Sequence, residues 1–371
     1  MVAPVARIMD WNFNLLAYID SYQSLRFERK LWEIGGFELA MYTDRQGADS
    51  LQPGHLMYLD KDRIGIIESV EQREENGGVH TSAAGTELKG IASRRIVLPS
   101  VKDDQTFFGW DRYPNLDDPD APAESVIKHY AGKHLVAPEN ENRKIPRLLL
   151  ARDQRRGTLM RWQSRFQGLH DTLAAIGEYA GMGYIIRASP EKALYEFDVI
   201  PARDRTAGSD LPVIFSSDWG NLSDTVYTVD LADWKNAGYA AGAGEDENRL
   251  ILTVYPDGKA SGLQRRETFV DCGSLEDAGE LELEATHKMK EMVRIQTLTG
   301  QLFPAGPFLY RKDWDIGDRV TVQSNRMGVS ADMLITEVCE SYEADTFRID
   351  ITFDKRKKTL LDEIRKKEVV R

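Results

Sequence analysis

Ile316-Gly317-Asp318-Arg319-Val320-Thr321-Val322, then Leu334-Ile335-Thr336-Glu337-Val338, then Thr346-Phe347-Arg348-Ile349-Asp350-Ile351-Thr352 read as a turn followed by three strands. The same plan occurs earlier, in Pro53-Gly54-His55-Leu56-Met57-Tyr58, Ile66-Ile67-Glu68-Ser69-Val70 and Gly78-Val79-His80-Thr81-Ser82. Ile67 and Ile335 lie 268 positions apart, as do Val70 and Val338, and Val79 and Phe347, so the second and third strands keep one register. Gly54 and Gly317 are 263 apart, which makes the later first loop five residues longer. A unit that recurs within one chain predicts a duplicated small barrel or curled sheet, with Gly54, Ile67 and Val70 equivalent to Gly317, Ile335 and Val338. The residue identity is weak, and chance pairing within a β-rich chain stays open as the alternative.

The expected fold class is α+β and β-rich, with two related β-barrel-like domains flanking a small α+β domain. The expected domains are 1–100, the first barrel; 101–204, the α+β domain; 205–355, the second barrel with a helical insertion at about 276–292; and 356–371, a basic C-terminal helix. In the first, Phe37, Leu39 and Met41 share one strand face against Glu38, Ala40 and Tyr42, and Asn76-Gly77-Gly78 supplies a hairpin turn. Gly85, Leu88 and Ile91 mark a short helix or turn, residues 95–98 one more strand, and 102–122 a proline-broken loop. Val126, Ile127, Tyr130 and His134 fall on one helical face, with Asp120 or Ser125 as the cap. Leu169, Leu173, Ile176 and Ala180 line a second helix that Gly181 and Gly183 end, and strands follow at 184–187 and 195–200. Beyond a polar linker, strands recur at 213–216, 225–231, 239–243, 249–255 and 265–271. Leu281, Ala285, Met289 and Met292 then share a helix face, leading into a strand at 293–298. At the end, Thr359-Leu360-Leu361-Asp362 is a capping-box pattern, and Leu360, Leu361 and Ile364 form the stripe of a short helix that either frays or docks on a partner.

The 371 residues are enough for two to four domains, and 42% hydrophobic content describes a folded chain. A net charge of −12 argues against ordinary duplex-DNA binding, which needs cations to displace counterions. Two cysteines, Cys272 and Cys339, are too few for a disulfide framework and read as buried thiols of a reducing cytoplasm. No signal-peptide pattern opens the chain, and no stretch approaches the ~20 apolar residues of a membrane span.

Catalytic and metal patterns are weak. His129 and His134 are five apart, where the two ligands of a zinc helix stand four apart. Asp117, Asp118 and Asp120 lack the glycine and distal Glu of a calcium loop and read as a solvated loop. Tyr239-Ala240-Ala241-Gly242-Ala243-Gly244 is followed by Glu245, Asp246 and Glu247, which repel phosphate, so a bulge or a close sheet approach is the reading there. No catalytic residue, metal site or cofactor is assigned, although a carboxylate pair among the 60 Asp and Glu is not excluded by sequence.

Several landmarks in order carry a resemblance: Gly36-Phe37-Glu38-Leu39, Gly65-Ile66-Ile67-Glu68, Gly85 with Leu88, Arg95-Ile96, the helix 169–180 running into Gly183-Tyr184, Phe215-Ser216, Asn221-Leu222, Asn236, Gly242, Arg266-Glu267 and Gly317-Asp318. With them the sequence resembles the siphophage tail-protein family related to the baseplate hubs of contractile tails and the tail-associated (tail tip) proteins of long non-contractile ones. The resemblance implies a baseplate-hub-like fold and a structural, non-enzymatic role in the virion at the distal end of a bacteriophage tail or tail-like particle, assembled in the host cytoplasm. It implies a homotrimeric ring that joins the six-fold tail tube to the tip, leaving a conduit for DNA ejection. Expected partners are the chain itself, the tail tube or distal tail protein, a tip, spike or fibre protein and the tape-measure protein, with no specific nucleic-acid binding and no membrane segment. Longer members of the group continue into a peptidoglycan-cutting or fibre domain, whereas eighteen residues follow Phe353 here, so a separate protein is expected to supply the tip. The alternatives are a tail-associated cell-wall hydrolase with a cryptic carboxylate pair, and a receptor- or carbohydrate-binding module using Trp110, Trp162, Trp219 or Trp234 as platforms.

Overall fold

The structure is a computed structural model and describes residues 3–354, apart from 76, 104, 105, 116, 274, 290, 291, 293, 304, 305, 344 and 345. The C-terminal stripe Leu360, Leu361 and Ile364, and Asn76 of the expected hairpin, lie outside the described residues. The chain forms two compact units, Met1–Thr225 with Thr299–Phe353, and a second built on Val226–Leu298.

The first unit opens with seven strands: β1 (Ala6–Met9), β2 (Leu15–Ile19), β3 (Ser24–Lys30), β4 (Gly36–Tyr42), β5 (Leu56–Asp60), β6 (Arg63–Glu75) and β7 (Gly78–Glu87). Period-two patterning fixes their faces, as in β4, where Phe37, Leu39 and Met41 are buried and Glu38 and Tyr42 exposed. A 3-10 helix, Leu88–Arg94, follows and buries Leu88 and Ile91. The strand expected at 95–98 is instead a single bridge from Ile96 to Gly168. The amide of Val97 donates to Gln167 O and its carbonyl accepts from Phe166, so this stretch is claimed by the loop ahead of the second helix.

The expected loop at 102–122 contains short strands, and β8 (Ser100–Asp103), β9 (Thr106–Phe108), β10 (Asp111–Tyr113) and β11 (Ala121–Pro122) lead into α1 (Ala123–Ala131). Pro122, not Asp120 or Ser125, stands at the N-cap of α1, its φ of −55° preset by the ring, while the Ser125 hydroxyl donates to Asp153 at 2.6 Å. Next come β12 (Leu148–Leu150), β13 (Leu159–Met160), β14 (Trp162–Ser164), α2 (Leu169–Ala180), β15 (Gly183–Ser189) and β16 (Leu194–Ile200). Leu169, Leu173 and Ile176 of α2 pack with Val126, Ile127 and Tyr130 of α1 and with Tyr184, Ile186 and Phe197 of the sheet β12-β16-β15 in one core. Gly181 ends α2 in the left-handed conformation, φ 65°.

After β17 (Arg203–Arg205) and β18 (Ile214–Ser216), β19 (Leu222–Asp230) enters the second unit. There β20 (Ala237–Ala241) lies between β21 (Ile251–Val254) and β22 (Glu267–Asp271), covered by α3 (Ala278–Met289). Leu281, Ala285 and Met289 join Ala240, Val254, Val270 and Cys272 in its core. The glycine-rich run comes close to neighbouring backbone: a Cβ on Gly242 would stand 2.4 Å from the carbonyl oxygen of Leu275, in the segment after β22. β23 (Ile295–Leu302) returns to the first unit, which β24 (Asp318–Ser324), β25 (Val329–Glu343) and β26 (Thr346–Phe353) complete.

The main sheet runs β19-β23-β26-β25-β3-β4-β7-β6-β5-β1-β2, with β24 on β25 and with β17 and β18 parallel to β24. The protein is β-rich with few helices, and among the described residues the strands form no closed barrel. The strand order shows the reason: β25 gives part of its edge to β3, so each curled set of strands continues into the next rather than closing on itself.

Candidate assembly surface

The six repeat positions take matching places in two hairpin units. Gly54 has φ 91° and donates its amide to Ile67 O at 2.7 Å, and Gly317 has φ 88° and donates to Ile335 O at 2.9 Å. Leu56 faces Ile66 and Met57 faces Gly65 in β5 and β6, as Arg319 faces Leu334 and Val320 faces Met333 in β24 and β25. On the other side Ile67 faces Gly85 and Val70 faces Ala83, as Ile335 faces Phe353 and Val338 faces Ile351. Both long strands carry a bulge at the same place, between Ile67 and Ser69 and between Ile335 and Glu337. The shift of 268 thus relates pairings and bulge alike. Sequence pattern carried the register but not the bulge, whose extra residue has no composition signal here.

Arginines bind the two hairpin units together within the first unit of the chain. Arg63, the first residue of β6, pairs with Asp60 at 2.8 Å, with Glu340 of β25, and with the Tyr342 hydroxyl at 3.1 Å. Arg311 bonds Asp60 at 2.5 Å and Asp62 at 3.0 Å, and Arg187 joins Asp62 to Asp198 at 2.8 Å each. Burial raises the Asp60 carboxyl, but hydrogen bonds from Arg311 and the charges of Arg63 and Arg311 outweigh it and hold the pKa at about 2. Arg29 of β3 is buried beside the Tyr310 hydroxyl at 3.1 Å and Asp315 at 2.7 Å. Most of these partners stand 125 or more residues apart in sequence and leave no local signal, so sequence reading missed this network.

A second ionic cluster gathers around Asp111. His134 Nε2 stands 2.8 Å from its carboxylate, Lys133 Nζ 2.9 Å and His129 Nε2 3.3 Å. Burial raises the Asp111 carboxyl, but hydrogen bonds from His129, His134 and Lys133 outweigh it and hold it well below the usual range; burial in turn lowers His134, against the opposing pull of Asp111. The five-residue spacing of the histidines works because Gly132–Val136 is a π turn, which brings residue i+5 onto the face that i+4 would take in an α-helix. A cleft of about 430 Å³ opens beside His134, walled by Lys133, Glu139, Asn140 and Arg143 with Leu98, Pro99 and Phe107. Among the described residues no group of three or more His, Cys, Asp or Glu is placed to hold a metal. Of the tryptophans, Trp162 is buried, Trp110 and Trp219 are exposed, and Trp234 donates to Asp257 at 3.0 Å. Both cysteines are buried and unpaired with each other.

This fold is that of phage tail proteins. It matches the 43 kDa tail protein of prophage MuSo2 from Shewanella oneidensis at 12% identity and TM-score 0.58, over 95% of this chain and 98% of that one. It matches prophage tail protein gp18 from Listeria monocytogenes EGD-e at 11% identity and TM-score 0.54, over 99% of both chains, and the tail protein from Neisseria meningitidis MC58 at 13% and 0.53, over 95% and 96%. No curated protein sequence matches. Residues 5–353 match the Siphovirus ReqiPepy6 Gp37-like protein family, and the chain belongs to it. It is therefore a phage tail protein of the siphovirus type.

Proposed function

We propose that the chain is a structural hub at the distal end of the tail, a ring of three copies joining the six-fold tail tube to the tip or spike. The observation that carries this reading is the repeat: one shift of 268 relates the pairings of β6 and β7 to those of β25 and β26. Two like modules per chain let three chains offer six similar faces to a six-fold partner. The expected domain plan, two related β modules around a mixed one, belongs to this proposal, as do the tube, tip and tape-measure proteins as partners and the assembly of the ring in the host cytoplasm. The role is read as assembly without catalysis. The Asp111 cluster supports that, its buried carboxylate being occupied by Lys133, His129 and His134. A net charge of −12 per chain fits a conduit wall that repels phosphate.

Mass in solution, followed by imaging of the particle end, tests the reading. A three-copy ring below the tube is the expected result. A monomer that turns over peptidoglycan, or a ring strongly retained on duplex DNA at physiological salt, overturns it.

A further inference from the structure

β25 uses its outer edge twice. Its first half pairs with β24, from Val329 opposite Ser324 to Leu334 opposite Arg319, and its second half pairs with β3, from Glu337 opposite Lys30 to Glu343 opposite Ser24. β6, its counterpart under the 268 shift, uses the same edge once. Its first residues pair with β5, and among the described residues no strand lies along that edge at 69–75. Burial records the difference: Val338, Cys339, Glu340 and Tyr342 are buried, whereas Glu71, Gln72 and Glu74 are exposed and Val70 is half-buried.

β3 has a counterpart as well. It reaches β7 through β4, as β19 reaches β26 through β23. The outer edge of β3 is filled by β25, whereas β19 ends the sheet, with no strand beyond it among the described residues. One junction is thus made inside the chain, and the two halves of a like junction stand open, one on β6 and the other on β19.

We infer that residues 69–75 of β6 pair antiparallel with β19 of a second copy, repeating between chains the junction that β25 and β3 make within one. Under the 268 shift Ser69 takes the place of Glu337, and Glu75 that of Glu343. Asp224, with φ 48°, breaks the start of β19, so the regular run offered to β6 is 225–230. That run shows Val226 and Val229 to solvent, at 59% and 42% exposure, and holds no Lys, Pro or Gly of the kind that guards a free edge. Backbone N–H and C=O groups along both edges gain partners on pairing, with register set by the strands themselves. The two edges are different surfaces, so the contact is heterologous and propagates head to tail, closing into a ring when the rotation allows. The inference rests on the self-assembly in the ring reading, which alone supplies the number three.

A cysteine ladder in the full chain, with Cys272→Ala and Cys339→Ala, tests it. Gln72→Cys is combined in turn with Thr225→Cys, Val226→Cys, Tyr227→Cys or Thr228→Cys, then oxidised and run on a denaturing gel beside the solution mass. Directly opposed antiparallel positions come close enough for a disulfide. The expected result is a covalent closed oligomer at one rung or two neighbouring rungs, absent from every single-cysteine variant, with amides of 69–75 exchanging about tenfold more slowly in the assembled state. A ring that forms without a cross-link at any rung overturns the strand pairing and leaves the ring. Cross-linked chains that never close keep the pairing and overturn the ring. A chain that stays monomeric and uncross-linked overturns both.

Discussion

Gly54 and Gly317 hold nearly the same backbone conformation, φ 91° and 88°, in different surroundings. A Cβ on Gly54 meets nothing within 4 Å, whereas one on Gly317 would stand 2.7 Å from Cγ2 of Ile200. Gly54→Ala therefore carries the backbone cost alone, about 1 kcal/mol, and Gly317→Ala adds a steric one, bringing it to about 2–3 kcal/mol. Urea unfolding of both variants checks this; equal losses count against the steric part. The Asp60 carboxylate gives a pH signature. Its folded pKa of about 2 lies below the ordinary aspartate value of 3.8, so its contribution is complete above the unfolded value and is lost as pH falls through about 2. With a side chain 29% exposed the shift is worth about 1–2 kcal/mol after screening. Asp60→Asn is expected to be less stable than the parent near neutrality, with the gap narrowing between pH 4 and 2. A gap that widens on acidification refutes the assignment.

At the scale of the element, the long hairpin strands make the sharpest comparison. Ile67 and Ile335 are both fully buried, and truncation of either to Ala is expected to cost ~2–5 kcal/mol, by like amounts. Val70 and Val338 share a register position but not an environment, because only Val338 has β3 beside it. Val338→Ala is expected to cost ~1–2 kcal/mol more than Val70→Ala in the monomeric chain, by chemical denaturation, and the two costs to converge once chains assemble. A difference that persists in the assembled state argues that nothing covers β6. The strands and α2 were legible because alternation and helical spacing are local: Phe37, Leu39 and Met41, or Leu169, Leu173 and Ile176, announce their faces within a few residues. The shift of 268 was legible because the apolar positions of the second and third strands recur together, with a turn glycine ahead of each set. The handover of the β25 edge from β24 to β3 was not, since it joins residues about 300 apart and depends on which edge is vacant. The four short strands between Ser100 and Pro122 were hidden by prolines and acidic residues, which read as loop whether or not the backbone finds a partner.

For the whole molecule, charge and strand pairing pull in opposite directions, and the balance is measurable. The chain carries −12 overall, and the two open edges share its sign: 69–75 holds Glu71, Glu74 and Glu75 against Arg73 alone, and β19 holds Asp224 and Asp230 with no Lys or Arg. The junction inside the chain differs, since β3 brings Lys30 to Glu337 and Arg26 to Cys339 of β25, with Arg29 paired to Asp315 nearby. An intramolecular contact forms at high effective concentration and tolerates such fixed pairs, whereas a contact between chains built on like-charged edges must draw on backbone hydrogen bonds and apolar side chains such as Val226. Salt then acts with a definite sign. Screening over ~10 Å at 0.1 M and ~3 Å at 1 M weakens the repulsion between edges while leaving hydrogen bonds and apolar burial in place. Self-association followed by sedimentation is expected to tighten several-fold as salt rises from ~0.05 to ~0.5 M. Association that loosens over that range points to opposite charges in contact, and hence to a surface other than these two edges.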